Sequence, residues 1–402
     1  MTTVTEQARN AAELLTGKLT EVPADDGHPA LMPQSLIRGA AGIALLHIER
    51  AEAGHGRWET AQPWLEAAVR HGTDTGPHAT LFYGAPALAF TLHGASGQSG
   101  RYARALAALD AATETVTRQR LDAAHARIDR RRSPALAEFD LIYGLTGLGA
   151  HHLRRFPQAT LTRDVLVYLV RLTEPIDATG LPGWWTGLGP AGEPSPDFPH
   201  GHGNFGMAHG IAGPLALLAL AMKQGVVVDG HADAIRRICE WLDRWRQDGP
   251  AGAWWPEWVT KTEYDTGVAH QHGPMRPSWC YGTPGLARAQ QLAGQALGDK
   301  IRQDQAEAAL IDCISDPDQL ERFHDTGICH GWAGIVQTVC AAAADARNPE
   351  IAVHLPGILG SLANARPGAD PGFLEGKAGI ALALYRASTT TATGWDRCLL
   401  LN

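Results

Sequence analysis

The sequence lacks the features that mark several large classes of protein. Basic residues are too few for a nucleic-acid surface: the formal charge is -8, and no run of five or six lysines or arginines occurs, the densest group being 127–132. No apolar stretch approaches the roughly 18 residues that indicate a membrane-spanning helix. Residues 1–7 also lack the basic start and apolar core of a secretion signal. We therefore expect a cytoplasmic protein that binds no nucleic acid.

Cysteine is also scarce, with six in 402 residues, which is too few for a disulfide framework. Four of them lie in helical patterns or near the end of the chain and are interpreted as small apolar side chains: Cys239, Cys313, Cys340 and Cys398. Cys280 and Cys329 differ, because both lie at loop-to-helix junctions among glycine, proline and tryptophan. These two are the candidate metal ligands.

The dominant feature of the sequence is a pattern, Gly-x-x-Gly followed by an apolar run, that occurs seven times. The first glycines of the copies are Gly39, Gly84, Gly144, Gly210, Gly282, Gly331 and Gly376. Only the second copy has lost its last glycine, which is Ala87. Such a recurrence predicts a repeat architecture, in which glycine permits tight turns and close approach of helices. Gly144 to Gly149 is not a phosphate loop, because it has no Gly-Lys-Ser/Thr and no preceding strand.

The segments between the glycines predict two kinds of helix. Each glycine pair opens an apolar run with few charges, which is typical of a buried helix. Amphipathic segments alternate with these runs and predict outer helices with one wet face: 6–19, 61–71, 101–127, 161–172, 231–246, 301–313 and 351–364. No capping repeat is evident at either end. We predict an all-α fold, a ring of seven helical hairpins closed on itself, in one domain spanning 1–402.

Two stretches interrupt the regular spacing and are predicted to be irregular loop insertions at about 174–207 and 248–277, covering the mouth of the ring. They are rich in glycine, proline and tryptophan, and they carry four histidines: His200, His202, His270 and His272. A metal site at His200-Gly-His202 is disfavoured, because the stretch is flexible in character and has no sulfur ligand beside it.

The register of the repeats brings a set of metal-binding residue types to equivalent positions. Cys280 and Cys329 each precede their first glycine by two residues, and His330 precedes its glycine by one. Equivalent positions in a closed ring point at the same central spot. Three ligands and one open position are the pattern of catalytic zinc, while a closed structural zinc site or no metal remain the alternatives. Coordination would remove the handicap of about 2 kcal/mol that a free thiol of pKa near 8.5 carries at neutral pH.

Other polar residues also lie a few residues before the first glycine of a repeat. His209 precedes Gly210 directly and is interpreted as a proton carrier. Asp140 lies four residues before its glycine, where a carboxylate either orients a histidine or forms a salt bridge. Arg276 pairs with Asp140 or stabilises a developing enolate oxygen. For Tyr281, as for Trp279, we leave open a place in the wall of the site and simple packing.

Three of these motifs together resemble the lanthionine synthetase C-like proteins, the LanC cyclases of lanthipeptide biosynthesis. They are 208–213 (Ala-His-Gly-Ile-Ala-Gly), 276–282 (Arg-Pro-Ser-Trp-Cys-Tyr-Gly) and 329–334 (Cys-His-Gly-Trp-Ala-Gly). The resemblance covers nearly the whole chain and implies an α/α toroid, or double-ring barrel, with zinc on Cys280, Cys329 and His330. It also implies that His209 and Asp140 are the catalytic pair, and that Arg276 and Tyr281 line the site.

The reaction implied by the resemblance is the addition of peptide cysteine thiolates to dehydroalanine or dehydrobutyrine. Because the ring and its loops use the whole chain, a stand-alone cyclase of class I is expected. Its partners are then a dehydrated precursor peptide with its leader, a separate dehydratase and a membrane-associated biosynthetic and export complex. The alternatives are a glutathione-adding relative, a zinc-dependent protein prenyltransferase and a peptide-binding repeat scaffold without activity.

Overall fold

The structure is a computed structural model that describes residues 3–23, 32–97, 100–176, 180–387 and 389–402. These ranges are mainly helical. The helices are α1 (Val4–Gly17), α2 (Ala40–Glu52), α3 (Trp58–Val69), α4 (Ala85–Ser96), α5 (Ala103–Asp129), α6 (Leu136–Phe139), α7 (Leu145–Arg155), α8 (Thr160–Leu172), α9 (Ala212–Lys223), α10 (His231–Trp245), α11 (Lys261–Thr266), α12 (Thr283–Leu297), α13 (Lys300–Ser315), α14 (Pro317–Leu320), α15 (Trp332–Asp345), α16 (Glu350–Asn364) and α17 (Lys377–Arg386). A 3-10 helix follows at Trp395–Leu399.

The predicted inner helices are present. Within the described ranges, seven helices begin one or two residues after the first glycine of a repeat, and they are buried along most of their length: α2, α4, α7, α9, α12, α15 and α17. At Gly42 and Gly379 the second glycine is needed because the chain before the helix folds back against it. A Cβ atom on Gly42 would lie 2.1 Å from the Leu36 carbonyl oxygen, and one on Gly379 would lie 1.8 Å from that of Phe373.

The predicted outer helices are present as well: α1, α3, α5, α8, α10, α13 and α16. Each alternates with an inner helix along the chain, and together they confirm the all-α fold predicted from the repeats. Among the helices that the structure describes, none combines the length and the apolar character needed to cross a bilayer.

A side-chain oxygen caps the turn before each inner helix, and it does so from one of two positions. In repeats one, two, three and five the capping residue lies four residues before the first glycine: Ser35, Thr80, Asp140 and Ser278. In repeats four, six and seven that position is glycine, and the capping residue lies two residues earlier: Asn204, Asp325 and Asp370. Each accepts a backbone N–H of the turn, as short polar side chains commonly do.

The chain divides into two compact units. The first comprises Met1–Val116, Phe323–Asp345 and Pro349–Leu399, so it contains repeats one, two, six and seven. Here the first and the last α-helices meet, because α17 packs against both α1 and α2. The turns also follow one another through backbone hydrogen bonds: the N–H of Cys329 donates to the carbonyl of Leu374 (2.9 Å), and that of Phe373 donates to Ile37 (2.8 Å). Repeat seven is thus the neighbour of repeat one.

The second unit comprises Thr117–Arg322, Ala346–Asn348 and Leu400–Asn402 and contains repeats three, four and five. Its inner helix α9 packs against both α7 and α12. The same backbone contacts recur between its turns: the N–H of Leu141 donates to the carbonyl of Ala208 (3.1 Å), and that of Met207 donates to Cys280 (2.7 Å). The turns before α7, α9 and α12 therefore lie side by side.

Both insertions belong to this second unit and are more regular than predicted. They contain the short strands β1 (His202–Asn204), β2 (Gln247–Gly249), β3 (Gly252–Trp254) and β4 (Trp258–Thr260). β1 pairs antiparallel with β4 and so joins the two insertions, while β2 and β3 form a hairpin. Three residues are too few to show the alternating pattern by which a strand is recognised in a sequence.

Candidate active site

Asp140 is a fully buried carboxylate with two separate tasks. Its Oδ1 accepts the backbone N–H of Tyr143 at 2.6 Å and caps the turn before α7. Its Oδ2 lies 2.7 Å from Nδ1 of His209. Burial raises the pKa of this carboxyl, while the hydrogen bonds from His209 and the turn oppose the shift. Of the two roles left open for Asp140, the structure therefore shows the contact that orients a histidine.

His209 stands at the end of the turn before α9, and 30% of its side chain is exposed. Because a carboxylate only accepts hydrogen bonds, Nδ1 of the ring is the donor in the contact with Asp140. The second ring nitrogen, Nε2, takes no part in this contact. This is the base-and-orienting-group arrangement typical of acid–base catalysis.

Tyr143 and Arg120 complete the surroundings of this pair, and sequence reasoning missed both. The ring of Tyr143 is stacked on that of His209, with centroids 5.5 Å apart and planes inclined by 23°. Nη1 of Arg120, from α5, donates to the backbone carbonyl of Tyr143 at 2.5 Å. Burial lowers the pKa of Arg120, and the charge of Asp140 partly offsets this shift. The guanidinium thus supplies a positive charge near the buried carboxylate.

Tyr281 also lies near His209, with ring centroids 6.4 Å apart. Its hydroxyl accepts a hydrogen bond from Nδ2 of Asn204 at 3.2 Å, and burial strongly raises its pKa. Asn204 also contacts Nε2 of His202 at 3.4 Å. His202 is buried in β1, where desolvation lowers its pKa to about 4, so this histidine is a neutral hydrogen-bonding group at neutral pH.

Arg276 is partly exposed, and no ion pair or hydrogen bond joins it to Asp140 among the described residues. It instead lies within electrostatic range of Glu257, in the second insertion. Burial raises the pKa of the Glu257 carboxyl, the nearby Cys280 thiol raises it further, and Arg276 lowers it. Glu257 had no signal in the sequence that distinguished it from a surface carboxylate.

Cys280 is a buried thiol in the turn before α12, with 7% of the residue exposed. Its Sγ lies 3.6 Å from Oγ of Ser278, the capping residue of that turn. Its backbone carbonyl accepts the N–H groups of Met207 (2.7 Å) and Ala208 (3.3 Å). Those two residues directly precede His209, so the backbone that carries the histidine is fixed against the backbone that carries the thiol. Trp279, also in this turn, is fully buried.

Cys329 and His330 belong to the other unit, in the turn before α15, and both are partly buried. Nε2 of His330 lies 3.1 Å from Oδ2 of Asp325, whose Oδ1 caps the turn by accepting the N–H of Gly327 at 2.6 Å. A carboxylate on one ring nitrogen is the arrangement that commonly orients a metal-binding histidine. It makes Nδ1 the nitrogen suited to a metal.

The other cysteines fit their predicted packing role. Cys239, Cys313 and Cys398 are buried, and Cys340 is partly buried. Burial raises the pKa of Cys239 and Cys313 to about 12 and that of Cys340 to about 11. Thiols of this kind remain protonated and unreactive at neutral pH.

Comparison with known proteins agrees with the motifs and with the fold. The family model of the lanthionine synthetase C-like proteins matches residues 30–400. The chain belongs to this family. A curated relative of this family member is the nisin biosynthesis protein NisC of Lactococcus lactis subsp. lactis. The two are 26% identical over 214 residues, which are 51% of this chain and 50% of that protein. The match thus spans about half the length of that relative.

A solved structure, that of a nisin cyclase, matches the fold of the lanthionine synthetase C-like chain with a TM-score of 0.80. The match has 22% sequence identity and covers 98% of this chain and 97% of the other. It confirms the predicted fold class, the α/α toroid, for this member of the family.

Proposed function

We propose that this protein is a zinc-dependent lanthipeptide cyclase. It would add peptide cysteine thiolates to dehydroalanine or dehydrobutyrine and so form lanthionine and methyllanthionine thioether rings. The observation that carries the proposal is the turn of His209, which pairs its histidine with Asp140 at 2.7 Å and is hydrogen-bonded to the backbone of Cys280. The proposed proton donor and a candidate thiolate ligand thus lie on neighbouring turns of one unit, which supports the proposal.

The zinc ligands in this proposal are Cys280, Cys329 and His330. Among the described residues, these three are the one group of cysteine, histidine and acidic side chains suited to share a metal ion. Two thiolates and an imidazole suit zinc and leave one position open, and the Asp325 contact of His330 is the expected support for a ligand. When bound, the zinc would supply Lewis acidity that keeps a substrate thiol deprotonated at neutral pH.

His209 would deliver the proton that completes the reaction. Attack of the thiolate sulfur on the β-carbon forms the C–S bond and moves the alkene electron pair towards the carbonyl as an enolate. The α-carbon then takes a proton, which we assign to Nε2 of His209. Asp140 would hold the ring through Nδ1 and stabilise its protonated form. The thiol proton leaves to solvent, so ring formation changes no mass.

Two further residues would support this step. Arg276 would stabilise the enolate oxygen with its positive charge, which acts on Glu257, a carboxyl that the Cys280 thiol also affects. Tyr281 would line the site next to His209. The electrophile requires a separate dehydratase acting on a leader-bearing precursor, and we propose that it meets this cyclase in a membrane-associated complex.

The test is incubation of purified protein with a dehydrated precursor encoded near its gene, followed by alkylation of the remaining thiols. We expect free thiols to disappear while the peptide mass stays constant. A mass gain equal to glutathione, when that thiol is supplied, would instead indicate the glutathione-adding activity. Persistent thiols with zinc bound would contradict the cyclase proposal.

A His209→Asn variant separates proton delivery from metal binding. It should retain zinc and fold but lose roughly 10²–10⁴-fold in cyclisation rate, the usual contribution of a positioned acid. Zinc content and rate are to be measured on the same preparation. Loss of zinc would show that His209 is a zinc ligand. A near-normal rate with zinc retained would show that His209 only packs in the structure.

A further inference from the structure

We propose that Tyr143 is a substrate-binding residue that holds the planar dehydroamino-acid unit of the peptide against His209. This inference rests on the proposed cyclase function and extends it to a specificity element. It begins from an unusual combination: 50% of Tyr143 is exposed, yet its ring is stacked on the imidazole that we assign to proton transfer.

The position of Tyr143 is fixed by its backbone and not by its side chain. Its N–H donates to the buried Asp140 carboxylate at 2.6 Å, and its carbonyl accepts from Arg120 at 2.5 Å. These two contacts fix the backbone N–H and the backbone carbonyl of Tyr143. The point from which the aromatic side chain projects is therefore fixed, and a change of side chain leaves both backbone contacts intact.

The register of the repeats shows what is special about this residue. Tyr143, His209 and Tyr281 each directly precede the first glycine of successive repeats, and their rings follow one another at 5.5 and 6.4 Å. Tyr281 is largely buried, and its hydroxyl is bonded to Asn204. The Tyr143 hydroxyl has no hydrogen-bond partner in the part of the chain that the structure describes. Within this series, Tyr143 is the aromatic residue with both ring and hydroxyl available to a ligand.

The exposed ring and hydroxyl of Tyr143 suit a flat ligand with a carbonyl group. A dehydroalanine or dehydrobutyrine residue is flat, because its alkene is conjugated with the adjoining carbonyl, and it lacks a tetrahedral α-carbon. A flat unit packs on an aromatic face, whereas serine or threonine at the same position does not. Burial and the charge of Asp140 raise the pKa of Tyr143, so its hydroxyl stays protonated and can donate to that carbonyl.

The experiment compares binding of two peptides that cannot react, both with cysteine replaced by alanine. One is dehydrated and the other retains its serines and threonines. Wild-type protein should bind the dehydrated peptide more tightly, and Tyr143→Leu should remove roughly 3- to 10-fold of that preference, as expected for loss of an aromatic contact. Tyr143→Phe keeps the ring and should keep most of the preference while lowering the cyclisation rate.

Phe156→Leu is the matched control. Phe156 is a partly exposed aromatic residue that follows the other end of α7, a helix about 16 Å long. Equal affinity of wild type for the two peptides, or an unchanged preference in Tyr143→Leu with its melting temperature preserved, would overturn the inference. The cyclase proposal is judged separately, by ring formation with wild-type protein on the cysteine-containing peptide.

Discussion

Replacing Asp140 offers the sharpest test of the site, because its two oxygens have separate tasks. In Asp140→Asn the amide oxygen can still accept the N–H of Tyr143, but the NH₂ group would face Nδ1 of His209. The ring must then present a lone pair there and carry its proton on Nε2 as a neutral imidazole, which is a poor acid. We expect a folded protein whose proton donor, the His209 ring, is weakened but still present.

The magnitude follows from the contact that is removed. A hydrogen bond to a charged group contributes about 1.5–3 kcal/mol. Because 30% of the His209 side chain is exposed, we take the lower part of that range, about 1.5–2 kcal/mol. The rate constant for cyclisation should therefore fall roughly 10- to 30-fold, since each 1.36 kcal/mol corresponds to a factor of about ten.

The repeats supply a control for the turn itself. Serine occupies the position of Asp140 in repeats one and five, where Ser35 and Ser278 cap their turns. Asp140→Ser should therefore keep the turn while removing the carboxylate from His209, and it should be as slow as Asp140→Asn. Single-turnover ring formation, zinc content and melting temperature are the measurements. Cyclisation at the wild-type rate in either variant would refute the assigned role of Asp140.

The same substitution has a consequence for stability. Burial raises the pKa of the Asp140 carboxyl above its ordinary value of 3.8, so folding favours the protonated form. The contribution of this group to the free energy of unfolding is then largest below pH 3.8 and falls as the pH rises through the folded pKa. Asp140→Asn has no titrating carboxyl at this position and does not lose this stabilisation as the pH rises. Its free energy of unfolding relative to wild type should increase between pH 4 and 7, and a decrease in denaturant titrations would contradict the argument.

Two other predictions concern the metal and the insertions. Cys280→Ala should lose zinc and activity. Cys239→Ala should keep both, because the Cys239 thiol is buried and its pKa is raised to about 12. If elemental analysis finds zinc in Cys280→Ala, then Cys280 is not a zinc ligand. Burial lowers the pKa of His202 from 6.5 to about 4, so its contribution to stability is present above pH 6.5 and is lost as the pH falls towards 4. In denaturant titrations this loss should amount to up to about 3 kcal/mol of the free energy of unfolding. His202→Gln should show a weaker dependence of that free energy on pH. An equal dependence in the two proteins would refute the argument.

The helices could be predicted from the sequence because their signals are local. A glycine pair followed by an apolar run marks the start of an inner helix, as at Gly42, where a Cβ atom would meet the preceding turn. The contact between Asp140 and His209 joins residues 69 positions apart. The sequence placed both in turns, but a carboxylate there can orient a histidine or pair with a cation, and only the spatial neighbours decide.

The residues that sequence reasoning missed have no local mark. Arg120 lies within α5 among other polar residues, and nothing in its surroundings along the chain distinguishes it from a solvated side chain. Tyr143 shares its register with His209, but exposure of its ring depends on packing between repeats. Glu257 acquires its place near Cys280 through the pairing of β1 with β4, strands too short to predict.

The two ways of capping the turns have a consequence for how such a protein can change. In every repeat the fold depends on an oxygen four or six residues before the first glycine, while the side chain directly before that glycine takes no part in the cap. The seven residues at this place are Arg38, Tyr83, Tyr143, His209, Tyr281, His330 and Glu375. An exchange at these seven places therefore removes no capping oxygen, and new reactivity can arise on a scaffold that keeps its turns.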